Sequence, residues 1–299
     1  MEAAQNAYAG PWLAEHPLAP LSSFRVGGKA DWLVEPGEEE AGPLLARLRE
    51  LQVPVTFLGE GSNVLIRDGG IRGVVLRVGK ALSWIRFEGD YASCGAGLSS
   101  SRLARLAREE GRGGFAWAAS LPGNLGGAVR MNAGCFGGEI GEVFHSLSGW
   151  TLGGERRLVS AEEIEFRYRH SSLPGDFLVT SLKLRLPLLS SDERSAMEER
   201  FREVQQTRAR SQPGGLFTAG STFRNPPGDS AGRLLEQCGL KGRSVGGAMV
   251  SERHANFIEA RGEKVLASDI ESLMQIMAEE VERQTGIRLK REVVLLGEA

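Results

Sequence analysis

The sequence predicts an α+β fold built from more than one compact unit, on three observations. Short β-rich runs dominate the first two-thirds, amphipathic helices gather in the last third, and 299 residues exceed what one small core organises. Each element follows in order. The opening MEAAQNAYAGPWLAEHPLAP begins with an acid and lacks the basic start and apolar run of a signal peptide, so residues 1–20 are expected to form a short arm. From Asp31 to Val78, the runs DWLVEP, VPVTFL and GVVLRV alternate with EEEAGPLLARLREL, whose leucines recur at helical spacing. Strands are predicted at SWIRFEG and YASCGAG, then a helix over 100–110 that buries Leu103, Leu106 and Ala107 and is ended by Gly111. VFHSLSGW, ERRLVS and FLVTSLKLRL follow as strands, the last with rough apolar-polar alternation.

A helix beginning near Asp192 carries Met197, Phe201 and Val204 on one face, and Pro213 with Gly214 and Gly215 closes it. A domain boundary is placed just before it. Beyond lie a short helix after Ser230, a strand-like run AMVSERHANFIEA, and a final helix from Ser268. There Ser268 and Glu271 make an S-x-x-E capping box, in which each side chain satisfies a free amide. Gly286 ends that helix, and REVVLLG finishes as a strand. No internal repeat or low-complexity segment is visible.

Composition narrows the function classes. Hydrophobic residues at 41%, charged residues at 25% and a net charge of -2 describe a soluble globular protein with no expected nucleic-acid or membrane partner. The uncharged stretch around Ala118 is too short and glycine-rich to span a bilayer. Cys94, Cys135 and Cys238 lie far apart, with no CxxC pair and no histidine at ligand spacing. Neither a disulfide framework nor a metal site is expected, and a reducing, cytoplasmic location is. His16, His145, His170 and His254 fit no ligand set and read as structural, with His254 near the site.

Two glycine-rich loops follow strands: LGEGSNVLIRDGG, centred on Gly59, Gly61, Ser62 and Asn63, and SLPGNLGGAVRMNAG, over 120–134. Bare backbone lets successive amides approach a phosphate, and two such loops suit a ligand as long as a dinucleotide. No GxxxxGK[ST] is present, and GEGSNV lacks the third glycine of GxGxxG, which disfavours P-loop and Rossmann folds. In the second loop, Ser120, Asn124 and Asn132 offer polar groups, while Ala128 and Ala133 leave room for a flat ring such as a flavin. Further on come Tyr168, Arg169 and Ser171 in FRYRHSSL, Ser221 and Asn225 in AGSTFRNP, and Glu292 in LKREVVLL. Taken alone, an Arg, a Ser and a Glu are most often a surface ion pair, a helix cap and a solvated charge. Glu292 beside VVLL is nevertheless a candidate for a raised pKa and acid work.

Together these segments resemble the UDP-N-acetylenolpyruvoylglucosamine reductase (MurB) family, the flavoenzymes of peptidoglycan precursor synthesis. SSFRVGGKADWLVEP, LGEGSNVLIRDGGIRGVVL, SLPGNLGGAVRMNAG, FRYRHSSL, AGSTFRNP, GLKGRSVGGAMVSERHANFI and GIRLKREVVLLG stand in family order from about Ser22 to Gly297. The resemblance implies an FAD-binding fold of the p-cresol methylhydroxylase type plus a smaller C-terminal α/β substrate domain. The expected segments are an arm over 1–20, FAD-binding subdomains over 21–82 and 83–189, and a substrate domain over 190–299. Non-covalent FAD is expected against Gly59, Gly61, Ser62 and Asn63, and against Ser120, Gly123, Asn124, Gly126, Gly127, Ala128, Asn132, Ala133 and Gly134.

The resemblance further implies NADPH as hydride donor and an enolpyruvyl UDP-sugar as substrate. Arg169 would steady the enolate-like state, Glu292 would assist as a neutral donor, and Ser221 would deliver the final proton. Tyr168, Arg224 and Asn225 are expected to bind substrate, with the protein acting as a monomer. No tyrosine lies between Arg169 and Ser221, so the chain matches the shorter family form without a tyrosine-bearing substrate loop. Cys135, Arg224 and Ala260 stand where alanine, lysine and asparagine are common in the family, and Cys135 raises the question of a flavin–thiol bond. Two rivals are another oxidase of the same flavin fold and a non-catalytic nucleotide-sugar or flavin-binding protein. The first has no need of AGSTFRNP or REVVLLG, and the second would be expected to lose Arg169, Ser221 or Glu292.

Overall fold

The computed structural model describes residues 2–214, 217–262 and 264–299. These residues cluster into two compact units. The first comprises the chain up to Leu13 with Trp32–Glu60 and Gly73–Arg208, and the second comprises Ala14–Asp31, Gly61–Arg72 and Ala209–Ala299.

The first unit is built on a five-stranded antiparallel sheet ordered Arg156–Ser160, Phe144–Thr151, Phe177–Arg185, Tyr91–Gly95, Ile85–Glu88. Leu147, Leu178, Leu182 and Leu184 of these strands are buried in its core. The helix Glu38–Glu50 starts with three glutamates and ends with Arg47 and Arg49, complementing the helix dipole at both ends. It docks through Gly42, where a Cβ would lie 2.4 Å from the Trp150 ring, and Trp150 Nε1 donates to the Glu38 carbonyl at 2.8 Å. Glycine is therefore required there by close approach. Val55–Leu58 pairs in parallel with 74–77 of the strand Ile71–Arg77.

The expected arm is folded rather than free-standing. It contains a helical turn, Glu2–Gln5, and a strand, Leu13–Pro17, and Ala4 with nearby Tyr8 is buried in the first unit's core. The helix Ser191–Ser211 is where the sequence placed it, with Met197, Phe201 and Val204 buried. Phe201 and Val204 belong to the core of the first unit, so the compact division falls after Arg208 rather than before residue 190. The proposed helix-closing Gly215 lies outside the described residues.

The second unit has its own core, in which Leu234, Leu235, Val250, Ile258, Leu273, Met277 and Val281 are buried. The run AMVSERHANFIEA is not one strand: Ala248–Val250 and Ile258–Ala260 pair antiparallel with a turn between them. Ser251 Oγ stabilises that turn by accepting the Arg253 and His254 amides. Val64–Ile66 pairs in parallel with Val294–Leu296.

The final helix, Ala267–Thr285, ends at Gly286 with φ of 73°, as expected, but its start corrects the capping box. Leu266 is the N-cap, and Asp269 reaches back to the Leu266 amide at 3.1 Å. Asp68 accepts the next two orphan amides, Ala267 at 2.8 Å and Ser268 at 2.9 Å. Glu271 is instead gripped by Arg67 through two bonds of 2.9 and 2.7 Å.

Candidate active site

In the first unit the two glycine loops touch. A Cβ on Gly59 would lie 2.7 Å from Asn124 Oδ1, so the first loop reaches the second only through a bare α-carbon. Asn124 is the N-cap of the turn Leu125–Arg130: its Oδ1 accepts the Gly127 amide at 3.1 Å, and its Nδ2 donates to the Val78 carbonyl at 3.2 Å. Its side chain is thus occupied within the protein and shapes the loop. Gly126 donates to the Ala96 carbonyl at 2.9 Å, and a Cβ there would press on Ala96 at 3.2 Å. Gly123, at φ of 93°, accepts from Ser100 through its carbonyl and turns its amide to the Glu60 carboxyl. Partial burial raises that carboxyl, and the Gly123 amide and the Arg77 charge oppose the rise. Among the described residues a Cβ on Gly127 would meet only Asn124 Oδ1, at 3.4 Å, so that side of the turn is open to close approach by a pyrophosphate-bearing group such as FAD. Ser120 is half-buried and Ala128 buried on the same stretch.

Asn132 is fully buried in the left-handed region, φ 41°, where asparagine is tolerated better than most residues. Its Oδ1 accepts the Gly141 amide at 3.0 Å, and its Nδ2 donates to the Arg167 carbonyl at 3.0 Å. Ala133 donates to Ala128, and Gly134 pairs with Glu139, where a Cβ would lie 2.6 Å from the Gly138 carbonyl. By holding Arg167, Asn132 supports the hairpin of Phe166–Arg167 and His170–Ser171, whose turn is Tyr168 and Arg169. Arg169 has φ of 54°, a strained setting for a residue with a long side chain. Its guanidinium lies 5.0 Å from the centroid of the exposed Tyr168 ring, in cation–π range. Burial pushes the Cys135 thiol up, against the pull of Arg208, Arg169 and Arg200, and Sγ donates to the Trp117 carbonyl at 3.3 Å. It is thereby held as a thiol rather than a nucleophilic thiolate.

In the second unit, Gly61 has φ of 64°, and a Cβ there would strike the Leu21 carbonyl at 2.2 Å. Ser62 is half-buried. Asn63 donates through Nδ2 to the Glu292 carbonyl at 3.1 Å and accepts the Val294 amide at 3.0 Å. Glu292 in turn donates its amide to the Thr222 carbonyl at 2.8 Å, and Phe223 bridges Arg291 in antiparallel fashion. The Ser221 and Glu292 segments are therefore neighbours. Ser221 and Glu292 are half-buried.

Arg224 donates its amide to Lys290, while its buried Nε has no hydrogen-bond partner among the described residues. Asn225 is exposed, and its Oδ1 accepts the Ala231 amide at 3.0 Å. Among the described residues, no group of three or more His, Cys, Asp or Glu is placed to hold a metal, and no helix is long and apolar enough to cross a membrane.

The two glycine loops lack a P-loop, and with the FAD binding domain match they define the class: an FAD-dependent oxidoreductase. Residues 31–156 match the FAD binding domain family, and residues 212–296 match the C-terminal domain of UDP-N-acetylenolpyruvoylglucosamine reductase. The chain belongs to the UDP-N-acetylenolpyruvoylglucosamine reductase family. It is 43% identical to the reductase of Anaeromyxobacter sp. (strain Fw109-5), over 97% of this chain and 90% of that one. Identity is 40% to the Gluconobacter oxydans (strain 621H) reductase, over 94% and 90%. The crystal structure of the Thermus caldophilus enzyme, at 32% identity, superposes with a TM-score of 0.81 over 96% of this chain and 98% of that one.

Proposed function

We propose that this chain reduces UDP-N-acetylglucosamine enolpyruvate to UDP-N-acetylmuramate, with NADPH as the donor, in peptidoglycan precursor synthesis. The observation that carries this reading is the pairing of the Ser221 and Glu292 segments in a chain that matches reductases along nearly its whole length. FAD, held non-covalently by the two glycine loops, supplies hydride transfer when bound. The roles of the protein's own residues follow from the charge that the substrate develops. A hydride arriving at the methylene carbon leaves negative charge on the neighbouring carbon and its carboxylate. Arg169 compensates that charge, an interaction worth most where water is excluded. Glu292 in its neutral form donates a hydrogen bond to the same group, and Ser221 passes a proton to carbon. Tyr168, Arg224 and Asn225 hold the substrate. The protein acts as a cytoplasmic monomer.

The test is anaerobic spectroscopy of the FAD-loaded protein. Flavin bands that bleach with NADPH and return with the enolpyruvyl UDP-sugar support the reading, whereas bands that return only with oxygen favour a sugar or hydroxy-acid oxidase. Ser221→Ala is expected to bleach normally but to lose at least about 100-fold in the rate of return, the scale of a missing general acid. Normal turnover in that variant would remove Ser221 from the proton-donor role.

A further inference from the structure

The two residues after Ser221 are gripped along their main chain by Asn256. The Asn256 carbonyl accepts the Thr222 amide at 2.8 Å. Its side-chain Oδ1 accepts the Phe223 amide at 2.9 Å, and its Nδ2 donates to the Phe223 carbonyl at 2.8 Å. One side chain thus satisfies both main-chain groups of Phe223, as a neighbouring strand would. On the opposite edge, Thr222 accepts the Glu292 amide at 2.8 Å and Arg224 donates to Lys290 at 2.9 Å. The Ser221 segment therefore runs between Asn256 and the Glu292 segment, whose own carbonyl is held by Asn63.

Upstream, Ala219 is buried in the second core and Phe217 accepts the Ala260 amide at 2.8 Å, but Gly220 between them and Ser221 sits at φ of 78° with no described atom within 4 Å of where a Cβ would be. Immediately downstream, Asn256 supplies the restraint from a site that is 3% exposed. A buried amide with both polar atoms bonded to one residue cannot shift without leaving main-chain groups unpaired.

We propose that Asn256 is a positioning residue for proton delivery: its clamp on Thr222 and Phe223 sets the Ser221 hydroxyl against the Glu292 segment. This rests on the reductase reading above. Asn256 touches neither substrate nor cofactor in this role. It acts through Ser221, where a displacement of about 1 Å can lower a rate about 100-fold.

The test uses Asn256→Ala and the near-isosteric Asn256→Asp, which keeps the acceptor for the Phe223 amide but removes the donor to its carbonyl. Two readouts are needed: amide hydrogen exchange at Thr222 and Phe223, and the two anaerobic half-reactions of the FAD-loaded protein. Exchange at Phe223 is expected to quicken in Asn256→Ala, which removes the acceptor of its amide, and to stay nearly unchanged in Asn256→Asp, which keeps it. Bleaching by NADPH should stay within about twofold of the unsubstituted protein, while return with the enolpyruvyl UDP-sugar slows about 10- to 100-fold. Half-saturation by that sugar should change less than about threefold, and the solvent deuterium isotope effect on the return should grow.

Equal slowing of both half-reactions would show a merely structural role and overturn the proposal. Unchanged return in either variant, or unchanged exchange at both amides in Asn256→Ala, would overturn it as well. If the unsubstituted protein bleaches but does not return with the sugar, the reductase reading fails, while the exchange data still judge the clamp. If Asn256→Ala does not fold, the half-reactions of the Asp variant decide alone.

Discussion

At the scale of single residues, the second unit contains a histidine whose protonation opposes folding. The His254 ring packs against Phe257 with centroids 4.8 Å apart and the planes tilted by 56°, and its Nδ1 accepts the Asn256 amide at 3.2 Å, which requires an unprotonated Nδ1. Burial pushes its pKa below the ordinary histidine value, and the nearby Lys241 acts in the same direction. The unfolded chain, titrating near pH 6.5, then binds protons more readily than the folded one. The folded state is favoured fully above that pH and loses the advantage as pH falls toward the depressed value. Between about pH 7.5 and about pH 5.5, urea denaturation should show a larger loss of stability for the native sequence than for His254→Gln. Equal losses would place the acid sensitivity elsewhere. Cys94 differs in kind: burial holds its thiol up at about 12, so it packs as a small apolar group.

At the scale of elements, the start of the Ala267–Thr285 helix depends on a carboxylate about two hundred positions earlier in the chain, Asp68. Asp68→Ala should cost about 1 kcal/mol in urea denaturation, in line with the loss of an N-cap, and Asp68→Asn should cost less. Identical losses would mean that the charge, not hydrogen bonding, is the source. The same element shows what the sequence makes legible. Its apolar spacing and its terminal Gly286 are local signals, whereas the donor to its first turn is not. Ser268 and Glu271 satisfy the capping pattern in one dimension, but Arg67 claims Glu271 in three. The run 248–260 was misjudged for a related reason: its flanks are apolar, and the reversal depends on Ser251 bonding the turn. The expectations at Arg169, Ser221 and Glu292 rest on distinctive local runs. Asn256 is not legible, since it binds main-chain groups more than thirty positions away and no side-chain pattern records that. Its one local signal is a polar residue inside the apolar stretch ANFI.

At the scale of the whole molecule, the helix Ser191–Ser211 stabilises the first unit, although the sequence assigns it to the second. The sequence reports an amphipathic face but not which core receives it. Phe201 and Val204 lie in the first core, and the Arg108 guanidinium lies 4.7 Å above the Phe201 ring. Phe201→Ala should destabilise the protein by about 3–5 kcal/mol. Amide exchange should quicken first at buried positions such as Leu103 and Leu184 of that core, and changes confined to the second unit would contradict the placement. The parallel pair of Val64–Ile66 with Val294–Leu296 bears on synthesis as well as on the finished molecule. On the ribosome the earlier strand emerges long before its partner, and at about 5–20 residues per second the wait is on the order of tens of seconds. Throughout that time the apolar Val64–Ile66 edge is available to other nascent chains, so the yield of native protein depends on how quickly translation reaches the closing strand.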